Sequence, residues 1–185
     1  MNTQTHKVFT PSLSFLLSFI LLTSCTSEQK KLEQAIAAKE KELYGDSTIK
    51  VDFSKAKDMI ALYSDFVKKY PEDEKAEDYL FKAGEVSMGS MQSNVAIKYF
   101  EQYYQKFPKA EKAPYSLFMQ GFIYETQLKN TEKAKWYYEK FISDFPTHKL
   151  AEDAKYSIAN LGKSEEELIR EFEAKLKGDS ATAAK

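Results

Sequence analysis

Three stretches of the chain carry apolar residues at the same spacing. They are "MIALYSDFVKKYP" (59–71), "AIKYFEQYYQKFP" (96–108) and "AKWYYEKFISDFP" (134–146), and they align without gaps. Spacings of about 3, 4, 7 and 8 residues place such positions on one face of a helix, and a terminal proline stops the helix. The pattern therefore predicts three amphipathic helices whose apolar faces are Leu62, Tyr63, Phe66, Val67 and Tyr70; Tyr99, Phe100, Tyr103, Tyr104 and Phe107; and Tyr137, Tyr138, Phe141, Ile142 and Phe145.

A second shared pattern follows each proline. An alanine stands five residues on, at Ala76, Ala113 and Ala151, and a small residue stands thirteen on, at Gly84, Gly121 and Ala159. Glycine inside a helix costs about 1 kcal/mol relative to alanine, so its recurrence indicates that another helix packs closely there. We therefore predict a repeating pair of antiparallel helices, with these small residues in the packed seam.

Both flanks of the repeats also have helical patterns. "SEQKKLEQAIAAKEKELYG" has a narrow apolar stripe that includes Leu32 and Ile36, and this helix either caps the stack of pairs or acts as a short spacer. "SEEELIREFEAKLK" begins with Ser164 and Glu167 in capping-box relation and places Leu168, Ile169, Phe172 and Leu176 on one face. We predict a C-terminal capping helix there, followed by a disordered tail, "GDSATAAK", that lacks apolar bulk.

The first 25 residues have the pattern of an export signal. One cation, Lys7, precedes an apolar run over residues 13–22, which is shorter than the about 20 residues of a membrane span. This arrangement is typical of a secretory signal peptide. The residues Leu22, Thr23 and Ser24 before Cys25, the only cysteine, resemble the lipobox of bacterial lipoproteins.

That resemblance implies that the thiol of Cys25 carries diacylglycerol and that the leader is removed before it. Thr26 stands where an inner-membrane retention signal of the enterobacterial type has aspartate, which implies the outer membrane as destination. Two alternatives for Cys25 are a buried core cysteine and a nucleophile. The charged start and apolar run disfavour the first, and the scarcity of histidines that could act as a base disfavours the second.

Charge and side-chain chemistry narrow the functional classes. The 27 basic and 28 acidic residues are interleaved, which does not favour a nucleic-acid interface. His148 is the only histidine beyond the leader, at a helix start where an exposed role is expected, and the glycines form no phosphate loop. No cysteine and histidine cluster has metal-ligand spacing. We therefore predict no catalytic residue, no metal, no cofactor and no small-molecule substrate.

The helix pairs resemble tetratricopeptide repeats over about residues 53–162. In the best copy the matching residues are Leu117, Gly121, Tyr124, Ala134, Tyr138 and Pro146, and in the preceding copy Leu80, Gly84, Ala96, Phe100 and Pro108. The longer turns and extra aromatic residues look like the bacterial envelope subfamily. That subfamily includes the BamD-like lipoproteins of β-barrel assembly and the periplasmic partner of the Tol–Pal system.

This resemblance implies an all-α solenoid of about three repeats. The expected organisation is a signal peptide (1–24), a lipidated N-terminus with flanking helix (25–50), a repeat domain (51–162), a capping helix (163–178) and a disordered tail (179–185). Such solenoids bind partners on a concave surface. The resemblance places there Asp78, Phe81, Glu85, Met88, Tyr115, Phe118, Phe122, Glu125, Asp153 and Tyr156.

Aromatic rings beside carboxylates suit a partner peptide or helix with apolar anchors and a basic residue. Whether Phe81, Phe118 and Phe122 are groove or core residues stays open at this point. The expected function is a lipid-anchored envelope scaffold with protein or peptide partners, facing the periplasm from the outer membrane and most concretely BamD-like. The alternatives are an adaptor for cell-wall maintenance or division, in which the N-terminal helix oligomerises, and an enzyme of unrecognised type.

Overall fold

The computed structural model describes residues 13–45 and 53–183, which form eight α-helices and no strand. This confirms the predicted all-α class. The helices are α1 (Leu13–Tyr44), α2 (Phe53–Lys69), α3 (Glu74–Gly89), α4 (Ser93–Lys106), α5 (Ala113–Thr126), α6 (Thr131–Asp144), α7 (Ala151–Asn160) and α8 (Glu165–Ala183). The start of the predicted signal peptide with Lys7, residues 46–50 of the flanking segment and the last two residues of the predicted tail lie outside the described residues.

Each helix from α1 to α6 packs against the next one along the chain. The helices form pairs, α1 with α2, α3 with α4 and α5 with α6, and α7 begins a fourth pair. We call the first helix of each pair the A helix (α1, α3, α5, α7) and the second the B helix (α2, α4, α6, α8). The predicted solenoid of helix pairs is confirmed. Within the described residues, no helix has both the length and the apolar composition needed to cross a membrane.

The repeated apolar stripes form the centre of the core. The six residues at the second and third stripe positions have no exposed surface: Tyr63, Phe66, Phe100, Tyr103, Tyr138 and Phe141. The helices α2, α4 and α6 each end two residues before the proline of the repeat. Proline cannot continue a helix and disfavours the helical conformation in the residue before it, so the predicted helix stops are confirmed.

The two recurring glycines lie where A and B helices approach most closely. A Cβ atom on Gly84 would lie 2.7 Å from the ring of Phe100, and one on Gly121 would lie 2.9 Å from the ring of Tyr138. The predicted seam is therefore present in both pairs. The prediction is wrong for Ala159, which is exposed because none of the eight described helices packs extensively over this part of α7.

Hydrogen bonds from buried tyrosines tie the two helices of each pair together. Tyr63 donates to Glu40 at 2.7 Å, Tyr103 donates to Glu77 at 2.8 Å, and Tyr138 donates to Glu125 at 2.6 Å. In each pair the tyrosine is on the B helix and the glutamate on the A helix. Burial and the adjacent carboxylate raise the pKa of all three tyrosines well above the usual value, so the hydroxyls remain donors at neutral pH.

The charged second half of α1 caps the stack. Ile36 has no exposed surface, Lys75 of α3 lies 2.6 Å from Glu33, and Lys82 lies 2.9 Å from Glu40. Of the two interpretations of this segment, the structure shows the cap, because α1 is the A helix of the first pair. The predicted processing site at Cys25 lies within this helix.

Helix α8 forms but does not cap the stack, contrary to the prediction for residues 163–178. The capping box is present, since the Ser164 amide donates to Glu167 at 2.8 Å and the Glu167 amide donates to Ser164 at 3.2 Å. However, α8 is not among the extensively packed helices, and Ile169 and Phe172 are 53% and 64% exposed. One physical reason is that α7 has 10 residues where the aligned α5 has 14, so it offers one turn less surface.

The end of α8 also differs from the prediction. The helix continues to Ala183, into the segment 179–185 that lacks apolar bulk. Ala181 and Ala183 favour this extension, but Asp179, Ser180 and Thr182 have lower helix propensity, so propensity alone does not explain it.

Gly84→Ala should lower the free energy of unfolding by about 1–3 kcal/mol, because the added methyl group overlaps the fully buried ring of Phe100. Urea denaturation followed by circular dichroism measures this change. Gly89→Ala in the same helix is the matched control, since a Cβ there has nothing within 4 Å, and it should cause no loss. Equal losses for the two variants would contradict the close-approach explanation.

Candidate partner-binding groove

Three pockets follow one another along the A helices. The first lies between α1 and α3 and has a volume of about 620 Å³. The second lies between α3 and α5, with about 280 Å³, and the third lies between α5, α7 and the start of α8, with about 470 Å³. Glu85 lines both the first and the second pocket, so these two form one surface. We call the three pockets together the A-helix groove.

The second pocket has an apolar wall and a charged rim. The wall consists of Phe81, Met88, Phe100, Tyr115 and Met119, and the rim consists of Glu85, Glu111 and Lys112. The Lys112 ammonium lies 4.9 Å from the centre of the Phe81 ring, which forms a cation–π contact. The pocket therefore offers a site for an apolar side chain next to charged groups.

Lys82 and Lys112, the lysines of the first two pockets, are already paired within the fold. Asp78 lies 2.9 Å from both Lys82 and Lys112, and Lys82 also lies 2.9 Å from Glu40. Burial acts to raise the pKa of Asp78, but the hydrogen bonds from Lys112 and Lys82 outweigh it, so this pKa is lowered. These ion pairs link α1, α3 and the start of α5.

Glu85 differs from the paired groove residues Lys82 and Lys112. Among the described residues it makes no hydrogen bond or ion pair, although its side chain is exposed. Desolvation by the surrounding groove walls raises the pKa of Glu85, and the charges of Asp78 and the two lysines act on it in opposite directions. It is therefore a carboxylate at the junction of two pockets that lacks a cationic partner within the described part of the chain.

Six of the ten sequence-predicted groove residues line the pockets: Phe81, Glu85, Met88, Tyr115, Glu125 and Tyr156. The other four, Asp78, Phe118, Phe122 and Asp153, do not line them. Phe122 and Asp153 are exposed outside the pockets. Their function in binding stays a prediction.

The question of core or groove has different answers for different aromatic residues. Phe118 is 8% exposed and packs on Tyr138 and Phe141 with ring centres 5.2 and 5.5 Å apart, so it is a core residue between α5 and α6. Phe81 belongs to the core against Phe100 and Tyr103 and also forms the floor of the second pocket. These two residues pack against the B helix of their own pair. Helical periodicity alone does not show which neighbouring helix buries an apolar residue.

Sequence reasoning missed the part of the groove that α1 and the loop before α5 provide. Glu40, Leu43 and Tyr44 line the first pocket, and Lys112 lies immediately before the first residue of α5. The sequence contained a signal that α1 belongs to the stack. The helix 53–69 has the apolar stripe of a B helix, and a B helix pairs with an A helix that precedes it.

His148 has a structural role in the turn between α6 and α7. It was predicted to be exposed, but its ring packs edge-on against Tyr115 and Phe141, and its Nδ1 accepts a hydrogen bond from the Leu150 amide at 3.2 Å. In the part of the chain that the structure describes, no group of three histidine, cysteine, aspartate or glutamate residues could hold a metal ion.

Comparison with known families gives a match at the centre of the groove. Residues 78–110 and 115–148 match the family model of the tetratricopeptide repeat. The two central helix pairs are therefore similar to tetratricopeptide repeats. The two matched repeats correspond to the α3/α4 and α5/α6 pairs, whose A helices form the second pocket. Stacked repeats of this kind are interaction scaffolds with extended binding surfaces. A search of curated proteins finds no match to this chain.

Asp78→Asn should lower the free energy of unfolding at pH 7 by up to about 1 kcal/mol, the range for partly exposed ion pairs. Because the folded-state pKa of Asp78 is lowered, its contribution is present above the unfolded-state pKa and is lost as the pH falls through the folded-state value. Urea denaturation at several pH values measures the difference between variant and wild type.

Asp65→Asn is the matched control for this experiment. The Asp65 side chain has the same exposure of 43%, but its lysine partner, Lys69, is in its own helix. Asp65→Asn should therefore have the smaller effect. A difference for Asp78→Asn that does not change with pH would contradict the assignment of its effect to the ion pairs.

Proposed function

We propose that this protein is a non-catalytic, lipid-anchored scaffold of the bacterial cell envelope that binds partner proteins or peptides in the A-helix groove. The observation that carries the proposal is the second pocket, an apolar recess between the A helices of two tetratricopeptide repeats, with an unpaired carboxylate at its edge. Repeats of this family are protein-interaction scaffolds, which supports binding over catalysis.

The groove chemistry favours a partner segment that combines an apolar residue with a basic one. The apolar wall suits an aliphatic or aromatic anchor, and Glu85 provides a carboxylate for a lysine or arginine beside it. The cations of the first two pockets add little attraction for an acidic segment, because Lys82 and Lys112 already pair with Asp78. The charges thus favour a basic partner.

The proposed anchor at Cys25 would hold the groove close to the membrane. One acyl chain gives only marginal membrane binding, whereas two or more hold a protein stably. From Cys25 the helix α1 runs without a break to the groove residue Glu40, a distance of about 22 Å at 1.5 Å per residue. A partner bound in the groove would therefore be concentrated at the membrane surface.

The most concrete version of this function is a BamD-like role in outer-membrane protein assembly, on the periplasmic face of the outer membrane. The alternative is an adaptor in cell-wall maintenance or division that resembles the Tol–Pal partner protein. That alternative expects the N-terminal helix to oligomerise. The use of Ile36 and Glu33 for packing within the chain favours the first version, because those side chains are not available to a second copy.

A photoreactive residue at Met119 should form crosslinks to a partner in native membranes, because this side chain lines the second pocket. Trp136 is the matched control position, since it is an exposed aromatic residue on α6 that lines none of the three pockets. Mass spectrometry identifies the adducts. β-Barrel assembly proteins at Met119 alone would support the leading version, and peptidoglycan-linked proteins would favour the adaptor. Equal adducts at both positions would refute the groove as the binding site.

Cys25→Ser should abolish lipidation, because the acyl acceptor is removed. The protein should then be found in the soluble fraction or as the uncleaved precursor. Cell fractionation and intact-mass measurement report both the location and the lipid mass. Ser27→Ala, an exposed position outside the lipobox pattern, should leave the protein lipidated and in the membrane fraction. A lipid mass that persists in Cys25→Ser would contradict the proposed anchor.

A further inference from the structure

Helix α8 has the apolar spacing of a B helix. Leu168, Ile169, Phe172 and Leu176 follow one another at the same intervals as the first, second, third and fifth stripe positions of α2, α4 and α6. In those three helices the second and third positions are fully buried, whereas the equivalent Ile169 and Phe172 of α8 are mostly exposed. The sequence of α8 thus fits a surface that α8 does not contact in this structure.

Helix α7 has the complementary surface, also without cover. Ala151 and Ala154 are buried against the preceding pair, which shows that α7 occupies the position of an A helix. On another face Ala159, which aligns with Gly84 and Gly121, is exposed, and Tyr156 is 68% exposed. In the two complete tetratricopeptide repeats, a B helix covers the equivalent glycine.

The connection between the two helices is well defined although α8 does not fold back. It consists of only four residues, 161–164, and Gly162 has a positive φ of 81°. Lys163 lies 2.6 Å from Glu171 and 3.2 Å from Asn160, and the capping box at Ser164 begins α8. Apart from Leu168, which lines the third pocket beside α7, the two complementary surfaces therefore lie on one chain without extensive contact. They are joined by a short hinge of the kind that favours exchange of elements between copies.

We propose that a second copy of this chain covers both surfaces: α8 of one molecule packs on α7 of another, reciprocally, as the B helix of its fourth pair. We choose α8 of a second copy as the partner of α7 because this contact would continue an interface that the chain already has. Helix α7 extends the stack from α6, and an A helix packs on a B helix in three pairs before it. A reciprocal exchange gives a closed two-fold dimer, the commonest symmetry of soluble oligomers. The second pocket, which carries the proposed function, lies between α3 and α5 and away from α7 and α8, so this dimer does not depend on the proposed function.

Disulfide crosslinking tests which chains meet. Ala159→Cys and Ile169→Cys are placed in separate full-length chains that also carry Cys25→Ser, and both proteins are kept in mild detergent. These two positions are chosen because Gly84 and Gly121, which align with Ala159, contact the second stripe position in their own pairs. Mixing the two variants before oxidation should give a disulfide-linked heterodimer. Arg170→Cys, an exposed position off the apolar stripe, replaces Ile169→Cys as the matched control and should give about tenfold less product.

Placing both cysteines in one chain separates the proposal from internal docking. The exchange predicts a covalent dimer, whereas a monomer with an internal disulfide would show that α8 folds onto its own α7 and would overturn the proposal. Absence of any crosslink would overturn it too.

Light scattering on the same full-length protein gives a second readout. Phe172→Glu should halve the particle mass without changing the helix content, since Phe172 is exposed within the chain, while Arg170→Gln should remain a dimer. A wild-type chain that is monomeric at micromolar concentration would refute the exchange.

Discussion

The close approach of paired helices at Gly84 and Gly121 is the constraint on which the rest of the structure depends. At each glycine the ring of a B-helix residue, Phe100 or Tyr138, fills the space that a side chain would need. The rings are fully buried, so each pair has one well-defined packing. A hydrogen bond from a buried tyrosine to an A-helix glutamate then fixes the pair further, and identical pairs can stack with their A helices side by side.

The groove results from this stacking and from the ion pairs that join neighbouring A helices. Lys75, Lys82 and Lys112 join successive A helices through ion pairs. Because structural contacts neutralise these cations, the net attraction of the surface comes from the carboxylates that remain, above all Glu85. Pairs of this kind contribute little stability when partly exposed, so their main effect is to set the alignment of the A helices and the sign of the groove.

The sequence predicted the helix pairs well because their signals are repeated: three stripes, three prolines and two glycines report the same geometry. It predicted the site less well for a physical reason. Helical periodicity shows that a face is buried but not which helix buries it, so Phe118 was assigned to the groove although it packs on Tyr138. In the same way, Ile169 and Phe172 have the spacing of a buried stripe, but they remain mostly exposed among the residues that the structure describes. Glu125 was expected to face a partner, and its acceptor capacity is partly used by a tyrosine from its own repeat.

The short A helix at the end of the stack has a consequence for local stability. In a solenoid each unit is stabilised mainly by its neighbours, so cooperativity decays toward a unit that is covered on one side only. Backbone amides of α7 should therefore exchange with deuterated solvent much sooner than those of α4, which is enclosed by α3 and α5. Peripheral opening of this kind would let a terminal segment detach and rebind while the central repeats keep their shape.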